Sequence, residues 1–162
     1  MQTESGFGVV LIRSGQEAMA DKNTQQPKVY EVGTLARIND FDRLSDGLLG
    51  IAAEGHKKFT ISEVFEREDH LLMATVEYSP EEPAVPFEEG SDELREVLRE
   101  LIKHPMVIKM NLEIDFEDAR SVGWRLAQLL PIEQEEKQSL LQIQSPQERL
   151  GELLNIVEHL RT

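Results

Sequence analysis

The sequence contains no cysteine among its 162 residues. That absence excludes disulfide bridges, thiol catalysis and zinc sites built from cysteine ligands. The polar start at positions 1–6 is unlike a secretory signal peptide. No apolar run approaches the roughly 20 residues that a membrane-spanning helix needs. We therefore expect a cytoplasmic protein that works away from membranes.

Positive charge is also scarce. The chain has 17 Lys and Arg residues against 31 Asp and Glu residues, and its formal net charge is -14. A nucleic-acid binder needs clustered positive charge to displace the counterions around phosphates, and an anionic membrane makes the same demand. Here the basic residues are scattered among more numerous acidic ones. The composition disfavours both partners, and solubility is the simplest role for the acidity.

The patterns that usually carry catalysis or hold a metal ion are missing as well. The sequence has no P-loop motif, and no serine lies in a glycine-rich elbow or beside a base. Ser121 and Lys137 fit helix-surface positions better than a catalytic dyad. No two histidines have the spacing of a zinc-binding pair. The four histidines are His56, His70, His104 and His159.

An acidic cluster precedes one of the predicted helices. It consists of Glu113, Asp115, Glu117 and Asp118. The cluster lacks the regular spacing of a calcium-binding loop, whereas acidic residues are favoured at the start of a helix by the helix dipole. The sequence thus predicts no metal site, no cofactor and no catalytic residue, and the protein is predicted not to be an enzyme.

Positions 1–78 read as a series of short strands with turn residues between them. Strands are predicted over positions 7–12, 29–38, 48–54, 58–66 and 71–78. Gly33 stands where the alternation changes phase, which predicts a bulge or a bend, and Phe59 is predicted to enter the core. Residues 39–42 and 55–56 have the composition of turns. Such closely spaced strands are typical of a small barrel or sandwich.

The composition and pattern of the remaining sequence change twice. Positions 79–90 hold three prolines among glutamates, which predicts a linker. Positions 91–162 show helical periodicity, with Ser91 predicted to cap the first helix and Pro131 to end a later one. A short helix is predicted over 133–142. Residues 145–148, SPQE, form a capping box for the last helix. Strands followed by helices predict an α+β fold.

Three stretches resemble one known family in their order and spacing. The first is VGTLARI at 32–38 with LSDG at 44–47, and the second is GHKKFTI at 55–61. The third joins LAQLLPI at 126–132, EKQSLL at 136–141 and ERL at 148–150. Together they resemble the N-terminal, substrate-binding domain of Lon proteases. The likeness covers about positions 7–160, with Lys58 standing where the family usually has arginine.

The resemblance implies a fold and a function. The expected fold is a small, mostly antiparallel PUA-like β-barrel over 1–78, the linker over 79–90 and a helical bundle over 91–162. The expected function is non-catalytic recognition of peptides or unfolded proteins in a groove between barrel and bundle. The sequence resembles a stand-alone, bacterial-type member without the ATPase and protease domains. The family's usual first segment is missing, so we expect an open barrel edge where two protomers can pair.

Three residues are candidates for contact with a protein partner. Phe41 and Arg43 are predicted to lie in a loop, where Phe41 either contacts a partner or plugs the end of the barrel. Trp124 either packs between helices or anchors a bound segment. Arg149 is predicted to tie the last helix to the rest of the protein. Two other functions stay open: an adaptor acting through homo-oligomerisation, and an RNA-binding PUA-like domain, which the acidity disfavours.

Overall fold

The computed structural model of the chain describes residues 6–14, 27–43, 47–69, 71–87 and 90–161. The chain divides into two compact units, Met1–Glu81 and Glu82–Thr162. All described strands fall in the first unit and all described helices in the second, so the predicted α+β class is confirmed. His70, one of the four histidines, lies outside the described residues.

The first unit is built from antiparallel strand pairs. Its described strands are β1 (Phe7–Val9), β2 (Ile12–Ser14), β3 (Lys28–Val29), β4 (Val32–Arg43), β5 (Leu49–Glu66) and β6 (Leu72–Tyr78). Four of them form a sheet in the order β1-β4-β5-β6, and β2 pairs with β3. The strand predicted over 71–78 is confirmed by β6. The single strand predicted over 7–12 is wrong, because β1 and β2 join different sheets.

Two predicted turns are wrong for a common reason. β4 continues through positions 39–42 to Arg43, and β5 runs without interruption through positions 55–56. β4 pairs with β5 along its entire length, from Val32 to Arg43. Cross-strand pairing of this extent outweighs the local turn preference of Asn, Asp and Gly. Gly55 lies opposite Ala36, beside a register shift, where it packs close to Thr34.

Gly33 allows a close approach of chains instead of forming a bulge. The register shifts of β4 fall after Leu35 and after Ile38, so the predicted bulge at Gly33 is wrong. Gly33 is buried, and a Cβ atom there would lie 2.7 Å from both the Val9 carbonyl oxygen and the Phe59 ring. Glycine is required at this position because any side chain would collide with backbone.

The second unit consists of five described helices. They are α1 (Asp92–Leu101), α2 (Pro105–Lys109), α3 (Ala119–Leu129), α4 (Gln134–Gln142) and α5 (Pro146–Leu160). Ser145 caps α5 as predicted, since its Oγ accepts a hydrogen bond from the Glu148 N–H. Ser91 occupies the N-cap position of α1, but its side chain makes no capping bond.

The main hydrophobic core lies in the helical unit. Leu94, Leu98, Val122, Leu126, Leu140 and Leu153 are all fully buried there. Among the described residues of the strand unit, the buried hydrophobic side chains are those of Ala36 and Phe59. The predicted core position of Phe59 is confirmed. Many large apolar side chains of the strand unit therefore remain in contact with solvent.

Gly33→Ala is expected to destabilise the protein by about 2–3 kcal/mol, because the added methyl group overpacks against the Val9 backbone. Gly151→Ala is the matched control: Gly151 is exposed within α5 and has nothing within 4 Å of a built Cβ atom. The control substitution is expected to stabilise the helix by about 0.5–1 kcal/mol. Urea unfolding followed by circular dichroism measures both changes. Equal effects of the two substitutions would contradict the close approach at Gly33.

Candidate functional site

The far end of the β4–β5 pair is a two-stranded ribbon within the described residues. β1 pairs with β4 over Thr34–Ala36, and β6 pairs with β5 over Phe59–Glu66. Positions 38–43 and 49–53 lie beyond both of these pairings, so each of these two segments has the other as its described partner. We call this part of the sheet the ribbon.

One face of the ribbon is apolar and exposed. Phe41 lies opposite Ile51, and Arg43 lies opposite Leu49. Residues directly opposite each other, and residues two apart along a strand, project from the same face. Phe41 is 60% exposed, Leu49 65% and Ile51 50%. Three large apolar side chains therefore share a solvent-facing surface with the guanidinium of Arg43.

The other face of the ribbon carries small residues and aspartates. Asp40 lies opposite Ala52, and Asp42 lies opposite Gly50. At the base of the ribbon, Asn39 Nδ2 donates a hydrogen bond of 2.8 Å to the Glu54 carboxylate. The ribbon thus has one face suited to apolar contacts and one suited to water.

Two of the three predicted contact residues lie together on the apolar face. Phe41 and Arg43 belong to β4, so their predicted placement in a loop is wrong. Leu49 and Ile51 were missed as members of the same surface. The signal was present in the sequence, since large residues at 49 and 51 alternate with small ones at 50 and 52. This alternation places Leu49 and Ile51 beside Phe41 only once the pairing of β5 with β4 is known.

Trp124 lies in α3 and is half-buried. Its Nε1 donates a hydrogen bond of 3.0 Å to the Glu82 carboxylate. The guanidinium of Arg149 stacks over the indole at 3.5 Å from the ring centroid. The indole is therefore held by two charged groups of its own unit. A role for Trp124 in binding a partner stays a prediction.

Arg149 connects α5 to the segment that precedes the helices. Its guanidinium has no solvent exposure and binds both carboxylate oxygens of Glu82, at 2.6 and 3.0 Å. It also donates to the backbone carbonyls of Leu140 and Ile143. The predicted role of Arg149 in tying the last helix to another part of the chain is confirmed. We call Glu82, Trp124 and Arg149 the buried ionic cluster.

The model of one protein family matches residues 1–159 of the chain. That family is the ATP-dependent protease La (LON) substrate-binding domain. The chain belongs to this family. The resemblance seen in the sequence is thereby confirmed. Membership of the family indicates a general role in substrate recognition.

The matching relatives of this Lon substrate-binding domain include much longer proteins. The Lon protease of Brevibacillus choshinensis is 28% identical over 93% of this chain and 22% of its own length. The Lon protease of Brucella suis is 29% identical over 94% of this chain and 19% of its own length. The chain thus spans about a fifth of the length of the curated relatives it matches.

Two solved structures support the same fold. A crystal structure of a Lon N-terminal domain protein from Xanthomonas campestris has 28% sequence identity and a TM-score of 0.69, and the match covers 93% of this chain and 75% of that one. The N-terminal domain of a Mycobacterium avium complex Lon protease has 16% identity and a TM-score of 0.55, with 93% and 89% covered. The second likeness shows the fold alone.

Within the acidic cluster that precedes α3, Asp118 has a structural role. This residue caps α3, and its carboxylate accepts hydrogen bonds from the N–H groups of Val85 and Arg120 and from the Arg120 guanidinium. Burial raises the pKa of the Asp118 carboxyl, but these donors and the Arg120 charge outweigh burial and lower the pKa overall. The carboxylate thereby fixes the start of α3 against the segment around Val85.

The other polar residues considered for chemistry also have local partners. Ser121 Oγ accepts a hydrogen bond from the Asp115 N–H, and Lys137 Nζ donates to the Gln128 carbonyl. Within the described ranges, no three His, Asp or Glu side chains are grouped as metal ligands. In the same part of the chain, no helix has both the length and the apolar character needed to cross a bilayer.

Proposed function

We propose that this domain recognises apolar segments of unfolded or flexible proteins, without catalysis, through the apolar face of the ribbon. The observation that supports the proposal is the exposed cross-strand pair of Phe41 and Ile51, continued by Leu49. Contiguous apolar surface of this kind marks interaction sites on folded proteins. Membership of a substrate-binding family supports a recognition role.

The ribbon offers two kinds of contact to an extended segment. Its outer strand edges have no further partner among the described residues, so a bound segment can add as a strand and make main-chain hydrogen bonds. Its apolar face can take alternate side chains of that segment. Main-chain bonding accepts any sequence, whereas the apolar face selects for exposed hydrophobic residues. The combination favours segments that folded proteins keep buried.

The test compares binding of unfolded casein with binding of a folded control protein, measured by fluorescence anisotropy. Phe41→Thr/Ile51→Thr is expected to weaken casein binding about tenfold, since two exposed apolar side chains contribute about 1–2 kcal/mol. Threonine keeps the strand propensity of both positions. An RNA oligonucleotide is expected not to bind, given the net charge of -14.

The matched control is Phe65→Thr. Phe65 is an aromatic residue of the same unit, 45% exposed, and it lies where β6 covers one edge of β5. Casein binding by this variant is expected to stay within about twofold of the wild type. Equal losses at Phe65 and at the ribbon would reject the ribbon as the site. Equal binding of folded and unfolded proteins would reject the proposed function itself.

Pairing between two copies of the chain is a second candidate, because strand edges that have no partner among the described residues favour it. Light scattering coupled to size exclusion, over a range of concentrations, measures this directly. Self-association would be the function of the ribbon if the chain forms a dimer that Phe41→Thr/Ile51→Thr abolishes and does not bind casein.

A further inference from the structure

The helical unit has a groove whose lining residues are separate from those of the ribbon. It lies beside the start of α4 and the C-terminal half of α5, and it is an open depression with a volume of about 440 Å³. Its apolar side chains are those of Ile132, Ile156 and Leu160. Leu160 is 51% exposed, so the apolar surface is open to solvent. We call this the α4–α5 groove.

The rim of the α4–α5 groove is negative. Glu133, Glu136 and Glu152 line it, all three are exposed, and none of the described lining residues is a lysine or arginine. Glu133 and Glu136 are held in place by the reciprocal capping box at the start of α4. The groove also borders the end of α5, where the helix dipole adds negative potential.

A second cavity in the same unit has a different charge pattern. That cavity lies along α1 and has a similar volume of about 430 Å³. Its rim combines Glu96 and Glu100 with Arg161, and these two glutamates form ion pairs with Arg99 and Lys103. Its acidic residues are therefore neutralised within the helical unit, whereas the described lining of the α4–α5 groove holds three glutamates and His159 but neither lysine nor arginine.

We propose that the α4–α5 groove binds a segment of another protein that carries a lysine or arginine next to a large apolar side chain. The apolar side chain packs on Ile156 and Leu160, and the cation lies among the three glutamates. Lys and Arg suit such a site because their aliphatic stems cover apolar surface while the charged end stays at the rim. The complementary charge speeds association and excludes acidic segments. The proposal stands apart from the function of the ribbon.

The test uses the full chain and short fluorescent peptides. The first peptide alternates leucine with lysine, the second replaces each lysine with glutamate, and the third replaces each leucine with serine. We expect the first peptide to bind, with an affinity that falls as salt is raised, and the other two to bind at least about tenfold more weakly. Binding that ignores the charge of the peptide would overturn the proposal.

Two variants with the same change of charge locate the site. Glu152→Lys is expected to weaken binding of the leucine–lysine peptide about fivefold to tenfold and to improve binding of the leucine–glutamate peptide. Glu135→Lys lies on the exposed side of α4 outside the groove and is expected to change affinity by less than about twofold. Leu160→Ser removes apolar surface at an exposed position and should weaken binding without a change of charge.

The outcomes distinguish binding in the groove from attraction by overall charge and from self-association. Equal losses at Glu152 and Glu135 would indicate attraction by overall charge and would overturn the proposal. A dimer of the chain that Glu152→Lys abolishes, without peptide binding, would also overturn it in favour of a second copy as the occupant. The ribbon variant Phe41→Thr/Ile51→Thr should still bind the leucine–lysine peptide. That result would support the groove even if the ribbon is found not to bind casein. If Glu152→Lys loses its circular dichroism signal, Glu152→Gln and Leu160→Ser decide between these outcomes.

Discussion

Replacing Arg149 with alanine is expected to lower the free energy of unfolding of the helical unit by about 3–5 kcal/mol. The guanidinium is fully buried and is the shared partner of the Glu82 carboxylate and of two backbone carbonyls. Its removal takes a buried cation away from a nearly buried carboxylate, and the two carbonyls lose a donor. Each of these groups then bears a desolvation cost that its lost partner had offset.

The single tryptophan makes the measurement direct. Trp124 touches both charged members of the buried ionic cluster, so its fluorescence reports the same place that the substitution changes. Urea unfolding followed by fluorescence and by circular dichroism gives the free energy. Arg149→Lys is expected to lose about 2–3 kcal/mol, because an ammonium group cannot bind the carboxylate in a bidentate manner.

Arg99→Ala is the matched control for Arg149→Ala. Arg99 is 45% exposed, pairs with Glu96 one turn earlier in α1 and lies 5.3 Å from the centroid of the Phe116 ring. An exposed ion pair and an exposed cation–π contact each contribute about 1 kcal/mol or less, so the control variant should lose much less stability than Arg149→Ala. A loss at Arg149 no larger than that at Arg99 would show that the buried ionic cluster does not hold the unit together.

Most helices of the second unit were predictable because their signals are local, but α2 was not predicted. The spacing of apolar residues in α1, the Ser145 cap of α5 and the stop at Pro131 each depend on a few neighbouring positions. The strand unit was harder because its decisive contacts are not local. Asn39 and Gly55 carry ordinary turn chemistry, and only the register between β4 and β5 shows that both lie within continuous strands.

The same distinction separates the site residues that were predicted from those that were missed. Phe41 and Arg43 stood out as an aromatic and a cation among aspartates in a short stretch of sequence. Ile51 joins them only through cross-strand pairing. The role of Arg149 was visible beside its capping residue, but its partner Glu82 lies 67 positions earlier in a proline-rich segment. No local pattern links two such residues.

The ribbon combines exposed apolar side chains with strands that start from a packed part of the sheet, an arrangement that suits recognition. β4 and β5 begin their pairing at a packed base, where Gly33 lies opposite the buried Phe59. The ribbon then continues the same two strands away from that base. A binding surface carried on strands with a fixed base is held more rigidly than one carried on a loop. Substitution of Phe41 or Ile51 should therefore affect binding more than stability.

Glu82→Ala is expected to cost about 3–5 kcal/mol, the same range as the loss of Arg149, because the guanidinium then stays buried without its counter-charge. Trp124 Nε1 loses its acceptor in the same variant. Glu81→Ala is the matched control, since Glu81 is the adjacent acidic residue and is exposed. Its cost should be within about 0.5 kcal/mol of zero.

A double-mutant cycle decides whether Glu82 and Arg149 act as one unit. When both are alanine, neither leaves an unpaired buried charge behind, so the double variant should be about 2–3 kcal/mol more stable than the sum of the two single losses predicts. Hydrogen exchange at the Ala119 amide, which donates to the Val85 carbonyl, reports whether the segment after Glu82 stays attached to α3. Additive losses, with unchanged exchange in every variant, would mean that Arg149 stabilises α5 through its carbonyl partners, with no contribution from its pairing to Glu82.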